Sequence, residues 1–299
     1  MEGNTVIPKS GLVLGIDVGY SDQRASTGIA VLEWDSATIT LQCRAVTVPG
    51  ILGALEDFVG GRQIACAALD GPLGGNLGTL TEHRSAEKML TRNKPPECPI
   101  GKPGSMASEV GRKLHRAAKG VARLLLENYR LAKAAHLARI HDLALVEAFP
   151  TSFLGALLKG DEIPPARRRN RSDRFYRRLL GPDWQLPQTA GKRHWDTPLS
   201  TNRLRDLVLD LLPGRRLVAC LEDVTDHDER AAVICAISAL CVVDRRYMAV
   251  GDSVGGYIIL PPPKKEGRVG AQDWAVQWLE ENARAGEGCL LIEPPEVLK

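Results

Sequence analysis

Residues 11–18 and 27–34 form two apolar runs rich in β-branched side chains, separated by a polar turn, and together they predict a hairpin. Residues 37–48 follow with Ile39, Leu41, Cys43 and Ala45 alternating with polar positions, the pattern of a half-buried antiparallel strand. A short amphipathic helix over 51–59 and a buried strand over 63–69, ending at Asp70-Gly71-Pro72, complete a β-α-β unit. Residues 74–105 are rich in Gly, Pro and charge, and predict an irregular excursion with a helix near 82–90.

From 109 to 139 the apolar positions Leu114, Ala118, Val121, Leu125 and Ala135 keep a helical period, and the stripe reads as core. Residues 143–146 predict a short buried strand closed by Glu147-Ala148-Phe149-Pro150, with Thr151 capping a helix over 152–158. Helices are expected over 204–212, 231–242 and 274–284, and a last strand over 257–260, with Gly251 to Gly256 as the turn before it. Three antiparallel strands ahead of parallel ones suit an α/β fold with an RNase H-like mixed sheet flanked by helices. The expected organisation is a tail over 1–10 and one domain over 11–299, carrying an Arg-rich insertion at about 161–200.

The chain of 299 residues is long enough for a sizeable core, and 44% hydrophobic with 25% charged residues places it among ordinary globular chains. No apolar run approaches the roughly 20 residues of a membrane span and residues 1–10 lack a signal-peptide core, so no membrane partner and a cytoplasmic location are expected. The 7 cysteines are odd in number, scattered and without a C-x-x-C pair, the pattern of reduced, mostly core thiols. A net charge of +3 does not itself argue for nucleic acid, but Arg167, Arg168, Arg169, Arg171, Arg174, Arg177 and Arg178 crowd one stretch. That run reads either as a solvated face or as a phosphate-contacting surface, with Arg168, Arg169 and Arg171 as substrate-binding candidates.

Three acids occupy matching places: Asp17 late in the first strand, Asp70 at the end of the fourth and Glu147 at the end of the fifth. A carboxylate after an apolar run is costly to bury alone, and each needs a partner, a helix terminus or a cation. Taken singly, each also fits a turn or cap residue. Together they suggest a shared hard cation, Mg²⁺ or Mn²⁺, of the kind that activates water against a phosphodiester. Arg84 and Glu87, three apart on the helix after the Asp70 loop, either pair with each other or contact substrate, and Arg84 is the substrate candidate. His227 reads as structural or as a general base, and Arg112, Lys113 and Arg116 as a solvated face or a phosphate contact.

The ordered set Gly15-Ile16-Asp17-Val18-Gly19, Thr27-Gly28-Ile29-Ala30, Ala68-Leu69-Asp70-Gly71-Pro72-Leu73, Val146-Glu147-Ala148-Phe149-Pro150-Thr151, Asp226-His227-Asp228-Glu229-Arg230 and Gly255-Gly256-Tyr257-Ile258-Ile259-Leu260-Pro261 resembles the DUF429 family of predicted nucleases with an RNase H-like fold. The resemblance spans most of the chain. It implies a metal-dependent nuclease in which Asp17 bridges the ions, Asp70 and Glu147 complete the coordination, and an acid at the start of the last core helix is the fourth ligand. Related enzymes carry Asp directly before that helix's small-residue run; here Ala231 stands there, and Asp228, one turn earlier, is the candidate, with Asp226 as substitute and a cap role open to both.

Two rival functions share this architecture. An ATP-dependent phosphotransferase of the actin-like and sugar-kinase class is disfavoured by length and by the lack of a G-x-x-x-x-G-K-[ST] loop. A catalytically inactive module holding nucleic acid or a protein through the Arg-rich insertion is made credible by Ala231.

Overall fold

The computed structural model describes residues 7–74, 83–93, 108–135, 139–159, 176, 179 and 202–293. It is an α/β protein built on one nine-stranded mixed sheet in the order β6-β3-β2-β1-β4-β5-β8-β7-β9, flanked by helices. The strands are β1 (Gly11–Asp17), β2 (Thr27–Trp34), β3 (Thr38–Val46), β4 (Cys66–Asp70), β5 (Leu145–Ala148), β6 (Arg216–Leu217), β7 (Tyr247–Asp252), β8 (Gly256–Leu260) and β9 (Cys289–Glu293). The helices are numbered α1 (Ile51–Val59), α2 (Ser85–Met89), α3 (Glu109–Asn128), α4 (Pro150–Leu157), α5 (Arg203–Leu211), α6 (His227–Val243) and α7 (Asp273–Arg284).

The expected antiparallel trio is β1, β2 and β3, and β4, β5 and β8 add to it in parallel. The sheet then departs from a plain antiparallel-then-parallel pattern. The β7 strand returns antiparallel to β8, β9 pairs antiparallel with β7, and β6 adds in parallel to β3. The segment expected as a turn over 251–256 is the tip of the β7–β8 hairpin, and β8 is not the last strand.

Two local expectations are also corrected. The α3 helix ends at Asn128 rather than near 139, because Tyr129 is extended and Leu131 bridges to Ile64 beside β4. The α4 helix begins at Pro150 with Phe149 at its N-cap and no side-chain cap bond, so Thr151 does not cap it. The tail expected over 1–10 is tied down from Pro8, whose carbonyl accepts from Trp34 Nε1 at 3.0 Å. Of the described cysteines, Cys66, Cys235 and Cys241 are buried, Cys43 is half-buried, and Cys220 and Cys289 are exposed; all six are free thiols. Tyr176 and Leu179, within the Arg-rich segment, are buried against the core. Among the described residues no helix is long and apolar enough to cross a membrane.

One face of the sheet packs on α4, α5 and α6 through Val13, Ala30, Ala68, Val146, Phe153, Leu207 and Ile237. The other packs on α1 and α3 through Leu14, Ile16, Leu69, Leu55 and Val121, and on α2 and α7 through Val250, Ile258, Met89 and Leu279. The α6 helix is buried along nearly its whole length, in keeping with a sequence that is apolar all round rather than striped. It lies on the sheet backbone to backbone. A Cβ built on Gly15 would stand 2.1 Å from Ala232 O and Ala236 N, and one on Gly28 would stand 1.9 Å from Asp228 O.

Gly15→Ala and Gly28→Ala should therefore each destabilise the protein by roughly 2 kcal/mol or more, the cost of overpacking where the obstacle is backbone. Urea unfolding monitored by circular dichroism measures this, and a midpoint equal to wild type for either variant would show that α6 lies farther from the sheet.

Candidate functional site

The Asp17 and Asp70 positions are register partners at the C-terminal ends of the parallel neighbours β1 and β4, so their side chains leave the same face of the sheet. That face is the one covered by α6, and the close seat of α6 on Gly15 and Gly28 brings the helix N-terminus to the same end. There Asp226 is the N-cap, its Oδ1 accepting from the backbone N–H of Asp228 at 2.9 Å and of Glu229 at 3.2 Å. The cap role open to Asp226 and Asp228 thus falls to Asp226. Glu229 ties the helix start to β3 by accepting from Ala45 N–H at 3.3 Å, and the Arg230 guanidinium donates to Val224 O at 2.7 Å and lies over the Tyr176 ring.

The acids at this end repel one another. Burial pushes the Asp17 carboxyl well above the usual carboxylate range, and the charges of Asp70, Asp228 and Asp226 push it further. Burial and then the charge of Glu147 push Asp70 up to about 7, with His227 pulling it down. Buried Cys235 on α6 is also pushed up, by burial and then by Asp70 and Asp17, which places the mid-helix thiol against the same two carboxylates.

Glu147 does not join them. It pairs in register with Leu69 while Ala148 pairs with Asp70, so alternation along β5 sends Glu147 to the opposite face. There the Arg84 guanidinium holds it bidentately, with Nη1 2.7 Å from Oε2 and Nη2 on Oε1. Burial pushes the Glu147 carboxyl up, while Arg84 and the backbone N–H of Leu73 pull it back toward the ionised form. Arg84 Nη1 also donates to Gly255 O at 3.1 Å, and its Nε to Glu87 Oε1 at 3.2 Å. Ser85 donates to Asp252, whose other oxygen accepts from Val254 and Gly255 N–H.

Arg84, expected at substrate, is therefore a buried clamp between the excursion, β5 and the β7–β8 tip, and it is only 4% exposed. The apolar run before Glu147 marked it as an acid needing a partner; the sequence signal for the partner was the Arg84–Glu87 spacing. Of the expected ligand set, Asp17, Asp70 and Asp228 are gathered at one end of one face and Glu147 is set apart. Arg168, Arg169 and Arg171 lie outside the described residues. Among the described residues, no group of three or more His, Cys, Asp or Glu side chains is close-set enough to hold a metal ion. Comparison with protein-family models, with curated proteins and with solved structures returned no match.

Two outcomes follow from these charges. An Asp held at about 7 in the folded chain, against an ordinary value of 3.8, keeps its proton longer when folded. Its contribution to stability is whole below pH 4 and is lost as pH rises through 7. With chelator present, Asp70→Asn should flatten the decline in stability between pH 4 and 7 and exceed wild type at pH 8 by on the order of 2 kcal/mol; an unchanged pH profile would show that Asp70 titrates normally. Arg84→Leu, which strands the buried Glu147 without its cation, should cost about 3–5 kcal/mol in the same unfolding assay.

Proposed function

We propose that the chain is an RNase H-like protein of the DUF429 kind and a metal-dependent nuclease, working on the phosphodiester bonds of nucleic acid. The observation that carries the reading is the gathering of Asp17, Asp70 and Asp228, with Asp226, at the C-terminal end of β1 and β4 under the N-terminus of α6. The central strand order β3-β2-β1-β4-β5, with the first three antiparallel and the next two parallel, supports the fold assignment.

The donor chemistry fits a hard divalent cation such as Mg²⁺ or Mn²⁺. Burial and neighbouring acids raise the proton affinity of Asp17 and Asp70, and a hard cation would favour their ionised, oxygen-ligand form. Asp17 and Asp70 would hold the ion, and Asp228, not close-set with them in this structure, would have to draw in to become the third ligand; Glu147 is spent on Arg84 and serves instead to anchor the excursion. When bound, such an ion acidifies a water and neutralises charge on a phosphodiester. The chain's own residues keep Asp17 and Asp70 on one face, exclude water beneath them with the apolar seat of α6, and fix the start of that helix through the Asp226 cap on the backbone of Asp228 and Glu229.

Titrating Mn²⁺ calorimetrically into metal-free wild type and Asp17→Asn, beside a cleavage assay on single- and double-stranded DNA and RNA, tests the reading. Binding and cleavage present in wild type and lost together in the variant are expected. Affinity should rise from pH 6 to pH 8, because Asp70, held at about 7, must release its proton to solvent before it can ligate the ion, and Asp17, also pushed up, must do the same. Wild type that takes up no metal with nucleic acid present defeats the proposal and leaves the inactive binding module.

A further inference from the structure

Between Val110 and Leu126 the α3 helix carries Arg112, Lys113, Arg116, Lys119 and Arg123 and no acidic residue, although the chain as a whole is only +3. Four of these, at 112, 116, 119 and 123, fall within an arc of about 60° and form a stripe about 16 Å long. Arg116, Lys119 and Arg123 are exposed and Arg112 is half-buried, while His115, Ala118, Ala122 and Leu125 face the core. Like charges spaced three and four apart repel along a helix, and although Glu109 offsets part of this at Arg112 and Arg116, a polyanion laid along the stripe would relieve it further. The acids sit near the ends: Glu109 pairs with Lys113 at 2.9 Å and Glu127 with Arg123 at 2.6 Å. These are exposed pairs worth little and readily exchanged for phosphate.

The stripe is fixed relative to the carboxylates. Gly71, the residue after Asp70, is where α3 crosses the sheet end: a Cβ there would stand 2.8 Å from Ala118 Cβ. One turn away, His115 Nδ1 lies 2.8 Å from Pro72 O. The helix is thereby pinned to the Asp70 turn at two successive residues, with its basic side outward.

We infer that the α3 stripe is the docking surface for the phosphate backbone of a nucleic-acid strand, held on the sheet face opposite α6 and anchored beside the Asp70 turn. This rests on the nuclease reading for its purpose, but the binding itself is independent of catalysis. Its length equals about five base-pair steps measured along the axis of a duplex, at roughly 3.4 Å each. Contacts of this kind are to phosphate, so they are salt-dependent and indifferent to base sequence.

The test is fluorescence anisotropy of the full chain with labelled 20-nucleotide single-stranded DNA, the matching DNA duplex and single-stranded RNA, in chelator, at 50 and 200 mM salt. Arg116→Glu with Lys119→Glu should weaken the best-bound probe at least tenfold at 50 mM and lower the slope of log affinity against log salt by about two. Arg116→Gln with Lys119→Gln should do so to a lesser degree, and both should retain wild-type helicity and wild-type Mn²⁺ uptake. Binding of any of the three probes serves the inference, and the tightest names the source of the backbone. Wild type that binds none of them, or a double Glu variant that binds like wild type, overturns it. Failure of the nuclease reading appears separately, as absent Mn²⁺ uptake while the anisotropy still reports on the stripe.

Discussion

The contact on which the rest depends is the backbone-to-backbone seat of α6 on the sheet at Gly15 and Gly28. A side chain at either position would hold the helix off, and the layer of small residues around it, Ala30, Ala68, Ala232 and Ala236, exists to let the surfaces close. Because α6 is apolar all round, it has no orientation preference of its own; the two glycines supply one. Its N-terminus is thereby set over the ends of β1 and β4, and the Asp226 cap, the Glu229 bond to β3 and the Arg230 bond to Val224 keep it there.

That arrangement leaves the protein with two ways of treating acids at strand ends. Glu147 is neutralised at once by Arg84, in a buried bidentate pair that also ties the excursion after β4 to β5 and to the β7–β8 tip. Asp17 and Asp70 have no such bidentate pair: Asp17 meets the charges of Asp70, Asp228 and Asp226, and Asp70 that of Glu147 partly offset by His227, so both carry their charge at a cost in the folded state. Carboxylates perturbed in this way cluster at functional sites and also occur in structural charge networks. The difference between the two acids in adjacent strands is one residue of register, which moves a side chain from one face of the sheet to the other.

Much of the architecture follows from hydrophobic pattern, and its failures are physical. The central strands and α1, α5, α6 and α7 were visible as runs and periods within a few residues of their observed bounds, because each buries a continuous face. The antiparallel β7 and the edge strands β6 and β9 were missed: β6 is two residues long, and the short apolar run of β7 lies beside the long apolar run of α6 with only a brief polar break between them. The α3 helix was drawn too long since its apolar period runs on past Asn128 into residues that pair with Ile64 and Leu143.

For the site, the sequence by itself determined which residues are acidic at strand ends, that each needed a partner, and that Arg84 and Glu87 are spaced to meet. Only the tertiary structure decided which acids share a space, because the face a strand residue occupies depends on pairing register with a strand far away in the chain. Leu69 opposite Glu147 and Asp70 opposite Ala148 put Glu147 with Arg84 and leave Asp17, Asp70 and Asp228 together. Local pattern carries the identity of a buried charge, and long-range register carries its neighbours.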